Sequence, residues 1–198
     1  MSARSFGAKS AVLRCSRCGK FVDWAHARVQ VICDCRPRLE LPPVFVREMT
    51  GGERGAVIQL FERDFGDSHI VAFGEMMDLE GAPALVAEMN GELAGALAYR
   101  VGDSALHIVA LATDPMWQRS GVGGYLLAEA ELLARQLRLT RLAVSTTNDN
   151  LPALYFYQRH GYRLSEAVPN GIAKYVAEHV GFGGIPVRDE IRLEKQLP

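Results

Sequence analysis

From residue 44 onward the apolar positions follow two rhythms, one of period two and one near 3.6, and the switches between them lay out a mixed α/β chain. "VFVREM" (44–49) alternates and predicts a strand. "GGERGAVIQLFERDFG" (51–66) places apolar residues at helical spacing, and "HIVAFGEMMD" (69–78) reads as a second, shorter helix. "ALVAEMNGELAGALAYRV" (84–101) predicts a hairpin, because Asn90-Gly91 is a strong short-range turn signal between two strand-like runs. "SALHIVALAT" (104–113) is apolar on both faces and predicts a central strand. "DPMWQRSGVGGYLLAEAELLARQ" (114–136) predicts a glycine loop and a long helix, and "RLAVST" (141–146) a strand. In "NLPALYFYQRHG" (150–161) Pro152 suits the first turn of a short helix and Gly161 stops it. The region "IPVRDEIRLEKQL" (185–197) ends in a strand with alternating charges on one face.

Composition adds a second unit. The 198 residues, 48% hydrophobic and 23% charged, suit one ordinary domain with a small appendage. Residues 1–40 hold 8 Lys/Arg against 3 Asp/Glu, whereas residues 41–198 hold 14 against 20. Such asymmetry suggests two units, and "RPRLELPP" (36–43) reads as the linker between them. A basic end can favour nucleic acid, but aromatic and basic residues are too little interleaved to expect it. No apolar run approaches the roughly 20 residues that span a bilayer. The first residues lack the apolar core of a secretory signal, so a cytoplasmic protein without a membrane partner is expected. A homodimer is compatible with the sequence.

The four cysteines, Cys15, Cys18, Cys33 and Cys35, all fall in the first 40 residues. In a cytosolic chain, clustered thiols point to metal before disulfides. Two thiolate pairs on tight turns make a tetrahedral structural zinc site, although the Cys33-x-Cys35 spacing is tighter than usual. Disulfides or free thiols are the alternatives, and His26 could replace one sulfur. The intervening "KFVDWAHARVQVI" (20–32) alternates as a short hairpin. Residues 1–40 therefore read as a zinc-ribbon-like module that depends on its metal to fold.

The glycine loop carries the candidate chemistry. A helix N-terminus exposes unpaired N–H groups and about half a positive charge. Gly121, Gly123 and Gly124 would let an anion approach that backbone closely. A tight strand-to-helix turn without a ligand is the plainer alternative. The order Gln118-Arg119-Ser120-Gly121-Val122-Gly123 is neither the dinucleotide fingerprint nor a P-loop. It resembles the Gln/Arg-x-x-Gly-x-Gly/Ala loop of the GNAT superfamily of acetyl-CoA-dependent N-acetyltransferases. About thirty residues later, Asn150, Ala153, Tyr157, Gly161 and Tyr162 are similar to that family's second signature. The likeness covers residues 44–198 in element order and does not include the cysteine module.

The resemblance implies a GNAT fold, with a mixed, mostly antiparallel sheet and flanking helices. It also implies transfer of an acetyl group from acetyl-CoA to a primary amine on a small molecule or protein, by direct attack in a ternary complex. By matching positions, the backbone of Gln118, Arg119, Ser120, Gly121, Val122, Gly123 and Gly124 would hold the coenzyme A pyrophosphate. Leu111, Ala112 and Thr113 would bond the pantetheine arm where "LHIVALAT" and "RLAVST" splay apart, and Asn150 would help seat the cosubstrate. Tyr157 would protonate the leaving thiolate, with Tyr155 as the rival. A lysine-like amine is neutral in only about one molecule in 2,500 at pH 7, so a base or water relay is needed. His107 stands where histone-acetylating relatives carry a glutamate. The alternating pattern puts it on one side with Val109 and Leu111, as a base, a pocket-lining group or a core histidine. Glu75, Glu88 and Glu92 are rival bases, Trp117 is expected to pack against the loop, and His160 reads as a cationic helix cap. The different-class alternative is a catalytically degenerate acyl-CoA-binding module whose zinc unit docks on protein or nucleic acid.

Overall fold

The computed structural model describes residues 11–14, 21–24 and 42–198. The chain divides into two units, Met1–Leu41 and Pro42–Pro198. In the first, β1 (Ala11–Arg14) pairs antiparallel with β2 (Phe21–Trp24). The hairpin expected over 20–32 lies mostly outside the described residues. The zinc site expected at Cys15, Cys18, Cys33 and Cys35 lies outside the described residues.

The second unit runs β3 (Phe45–Glu48), α1 (Arg54–Phe65), β4 (His69–Ala72), β5 (Glu75–Asp78), β6 (Ala84–Met89), β7 (Glu92–Val101) and β8 (Ala105–Thr113). It continues through α2 (Val122–Gln136), β9 (Arg141–Thr147), α3 (Leu151–Arg159), β10 (Arg163–Val168) and β11 (Glu190–Gln196). Seven strands form one sheet in the order β10-β11-β9-β8-β7-β6-β3. Within it β8 and β9 are parallel and the other neighbours antiparallel, which agrees with the expected mixed sheet.

Each face of the sheet takes one long helix. On one, Val122, Leu126, Leu127, Ala130 and Ala134 of α2 pack on Leu97, Leu106, Ile108, Leu142 and Val144. On the other, Val57, Leu60 and Phe61 of α1 sit over a floor of small residues, Ala96, Ala98, Ala110 and Ala112. Full burial of each large apolar side chain contributes about 1.5–3 kcal/mol, so these two contacts hold the helices to the sheet.

One expectation fails and one strand goes unpredicted, both for local reasons. Residues 69–78 form the hairpin β4–β5, not a helix. Phe73 (φ 54°) and Gly74 (φ 77°) make a two-residue turn with both φ positive, a geometry that matches strand twist. Strand β10 escapes the pattern because Arg163–Ala167 are all exposed. Backbone pairing with β11 at the sheet edge, not an apolar face, makes it a strand.

Candidate active site

Asp114 begins the glycine corner by accepting from the N–H of Met116 at 2.9 Å and from Arg63 at 3.0 Å. The Ser120 hydroxyl and its N–H (3.2 Å) both donate to the Trp117 carbonyl, which ties the loop to itself. Trp117, expected to pack against the loop, packs against the core cluster that includes α2. Arg119 (φ 62°) and Gly121 (φ 95°) take left-handed backbone, and Gly121 leads into α2. Among the described residues nothing accepts from the N–H groups of Gly121, Val122, Gly123 and Gly124, so four donors converge at this corner. Gly121 is required by its backbone angle. Gly123 and Gly124 have a different reason, because an added Cβ would lie 3.0 Å from the Phe156 ring and 3.0 Å from the His160 ring. Bare backbone here lets α3 approach α2.

Beside the corner the sheet opens. The parallel pairing of β8 with β9 runs from Ala105↔Arg141 to Ile108↔Val144 and stops, while β8 continues to Thr113 and β9 to Thr147. Leu111, Ala112 and Thr113 remain paired to β7, and their other edge faces the gap. A bulge next to it inserts Val109 between the pairs Tyr99↔Ile108 and Ala98↔Ala110. The extra residue rephases the strand. His107 and Val109 stay on the α1 face, but Leu111 packs on the α2 face, contrary to the simple alternation.

His107 lines a cavity of about 560 Å³ that continues over the part of the α1 face formed by β9, β11 and β10. Phe73 of the β4–β5 turn stacks on its ring, with centroids 4.5 Å apart. Arg100, its cross-strand neighbour, places a guanidinium nitrogen 3.5 Å from Nδ1. Burial, then the charges of Arg100 and Arg141, hold the His107 pKa below its ordinary 6.5, so the imidazole is neutral at pH 7.

Toward the gap the fully buried Glu190 carboxylate accepts from Ser145 Oγ (2.5 Å), Arg192 (2.9 Å) and the Gly74 N–H (3.3 Å). Although burial opposes ionisation, the Ser145 and Arg192 hydrogen bonds outweigh it and keep the Glu190 pKa low. The Tyr175 hydroxyl donates to the Gly74 carbonyl, which pins the turn from the other side.

The remaining candidates separate. Tyr157 is buried in the α2-side core, 5.3 Å from the Phe156 ring and 5.5 Å from Tyr162, and burial pushes its pKa far up. Tyr155 is 62% exposed, with its hydroxyl on Arg159 at 2.8 Å. Asn150 caps α3 by accepting from the Ala153 N–H at 3.2 Å. Glu75 pairs with Arg100 at 2.9 Å, Glu88 pairs with Arg47 at the β3 edge, and Glu92 starts β7 at the tip of the β6–β7 hairpin. His160 ends α3 as expected, but burial and then Lys195 lower its pKa, so it is not held as a cation. Phe73, Arg100, Arg141, Glu190 and Arg192 escape sequence reading. The alternating charges of "RDEIRL" are the one signal that pointed toward the last two.

A family model described as "Acetyltransferase (GNAT) family" matches residues 55–162. The uncharacterized protein YdhI of Bacillus subtilis (strain 168) is 32% identical over 125 residues, covering 61% of this chain and 76% of that protein. A blasticidin-S acetyltransferase of Streptomyces morookaense is 38% identical over 82 residues, 41% of this chain and 59% of its own length. A crystal structure of a GNAT family acetyltransferase from Elizabethkingia anophelis with acetyl-CoA bound is similar, with a TM-score of 0.62 and 22% identity. The match covers 78% of this chain and 98% of that one. Among the described residues no helix is long and apolar enough to cross a membrane.

Proposed function

Because the chain belongs to the GNAT acetyltransferase family, we propose that it moves an acetyl group from acetyl-CoA to a primary amine, within a ternary complex. The observation that carries this reading is the early end of the β8–β9 pairing at Ile108↔Val144, directly beside four unpaired N–H donors. The donors of Gly121 to Gly124, with the backbone of Gln118 and Arg119, suit a diphosphate. The hydroxyl and N–H of Ser120 are already committed to Trp117, so Ser120 contributes shape. The free edge of Leu111, Ala112 and Thr113 offers strand-like hydrogen bonds to the pantetheine amides. Asn150 acts by fixing the start of α3, and so the position of Tyr157.

Acetyl-CoA supplies an activated thioester, so this chain's residues need only position the partners and move protons. The neutral His107 imidazole, directly or through water, takes a proton from the attacking ammonium, leaving a lone pair to form the C–N bond. The Tyr157 phenol, held protonated by burial, gives its proton to the sulfur as the C–S bond breaks, and the second proton shed by the acylated nitrogen is returned through water to the phenolate. Backbone N–H groups along the gap stabilise the oxyanion between those events.

Calorimetric titration with acetyl-CoA, followed by thiol release across a panel of amines, tests the reading. Wild type is expected to bind and turn over, Gly121→Val to lose binding, and Tyr157→Phe to bind normally but turn over about 10²-fold more slowly or worse. Absence of acetyl-CoA binding in wild type would overturn it, and Tyr157→Phe at wild-type rate would remove the assigned acid.

The cysteine set completes the reading. Cys15, Cys18, Cys33 and Cys35 supply four thiolates and no open position, the donor chemistry of a structural zinc site. Elemental analysis of protein purified under reducing conditions is expected to find zinc, lost on Cys15→Ser with Cys18→Ser. Metal-free protein would end the assignment.

A further inference from the structure

The His107 cavity is electrically polarised along its length. At the gap end, Glu166 stands against Arg192, which donates to it at 2.7 Å and, behind the cavity wall, to the fully buried Glu190 at 2.9 Å. At the other end, Arg100 and Arg141 stand against Glu194. The cations there have donors to spare. Arg141 Nε lies 3.4 Å from Glu194 without making a hydrogen bond, and among the described residues no acceptor meets its two terminal nitrogens. Arg100 spends one terminal nitrogen on Glu75, whose side chain is 60% exposed, and turns the other toward the cavity beside His107.

We propose that the acceptor is a small amino carboxylate, with its amine at the gap end of the cavity beside Glu166 and its carboxylate on Arg141 and Arg100. The assignment deepens the transferase reading and rests on it. The cavity volume of about 560 Å³ lies within the range of small-molecule sites. Arg141 opens β9 four residues before Ser145, about 13 Å along an extended strand. The arginine side chain reaches back over part of that distance, which leaves room for a chain of several methylenes between amine and carboxylate. The ammonium form is drawn toward Glu166, whose side chain is half exposed. His107 stands level with Arg100 and Glu194 across the strands and takes the amine's proton through water. A guanidinium–carboxylate contact in a half-buried cavity is geometrically selective, and loss of such a charge-assisted bond corresponds to about tenfold to a hundredfold in affinity.

The test uses the full chain. Thiol release is measured with γ-aminobutyrate, δ-aminovalerate and ε-aminocaproate. The controls are ε-aminocaproamide, hexylamine and cadaverine, which keep the amine but lack the carboxylate. At least one amino carboxylate is expected to exceed all three controls by tenfold or more in kcat/KM, mainly through KM. Arg141→Gln is expected to shrink the ratio of ε-aminocaproate to ε-aminocaproamide toward one. That ratio stays readable if the variant is partly unfolded, because both acceptors see the same active fraction. Controls equal to or better than the amino carboxylates, an undiminished ratio in Arg141→Gln, or no acetylation of any of them by protein that binds acetyl-CoA would each overturn the inference. Only failure to bind acetyl-CoA would overturn the transferase reading itself.

Discussion

Single side chains here owe their chemistry to their surroundings. His107 is an ordinary imidazole made less basic by burial and two guanidiniums, and Tyr157 is an ordinary phenol kept protonated by the core. The His107 shift has a definite sign. A base acting in its neutral form is fully available above its folded-state pKa, which lies below 6.5. The acid limb of the kcat/KM profile is therefore expected below pH 6.5, with no further gain from pH 7 to 8 assignable to this group. His107→Gln is expected to abolish that limb and lower the plateau by about 10²-fold. A limb that survives in the variant would assign the proton to another group. The same depression makes the folded state bind fewer protons than the unfolded chain. The associated stability is present above the unfolded value near 6.5 and is lost as the pH falls through the folded one. Sequence named His107 and Tyr157 as candidates, and the structure places them on opposite faces of the sheet. It could not show Phe73 on the imidazole, because the stacking depends on a turn with positive φ that the apolar rhythm concealed.

Elements explain the glycines better than individual positions do. Gly121 is fixed by its left-handed backbone, but Gly123 and Gly124 are the groove into which Phe156 and His160 of α3 fit. Gly123→Ala is expected to destabilise the fold by about 1–3 kcal/mol through overpacking, read as a lower urea midpoint with an unchanged slope. Adding Phe156→Leu should restore much of that loss, and an additive pair of effects would show that the ring is not what the new methyl meets. The strands that carry the site were legible because β6, β7, β8 and β9 have apolar faces to bury. Helices α1, α2 and α3 were legible from spacing, caps and stops. The edge strand β10 has almost no buried side chain, and the β4–β5 hairpin carries too few apolar alternations to separate it from a helix. The bulge at Val109 left no mark in composition, so the side on which Leu111 falls could come only from the register.

Across the whole unit, Glu190 joins parts that the sequence separates widely. It binds Ser145 on the neighbouring strand, Arg192 on its own strand and the Gly74 N–H of a hairpin 116 residues earlier. Glu190→Gln is expected to cost about 1–3 kcal/mol and to speed hydrogen exchange at Gly74 more than at core amides of β7. Uniform exchange across both would show that the carboxylate does not tether the hairpin. Its low pKa implies stability present above the unfolded value near 4.5 and lost as the pH falls through the folded one. The topology around this residue also constrains assembly. Strand β11 lies between β9 and β10, although it follows both in the chain. Until it arrives, β9 shows a bare row of amides and carbonyls, and β10 has nowhere to dock. Such a ribbon edge recruits strands from other molecules. A chain cut after Asp189 is therefore expected to self-associate and precipitate, since the missing segment is the wedge that keeps copies of the sheet apart.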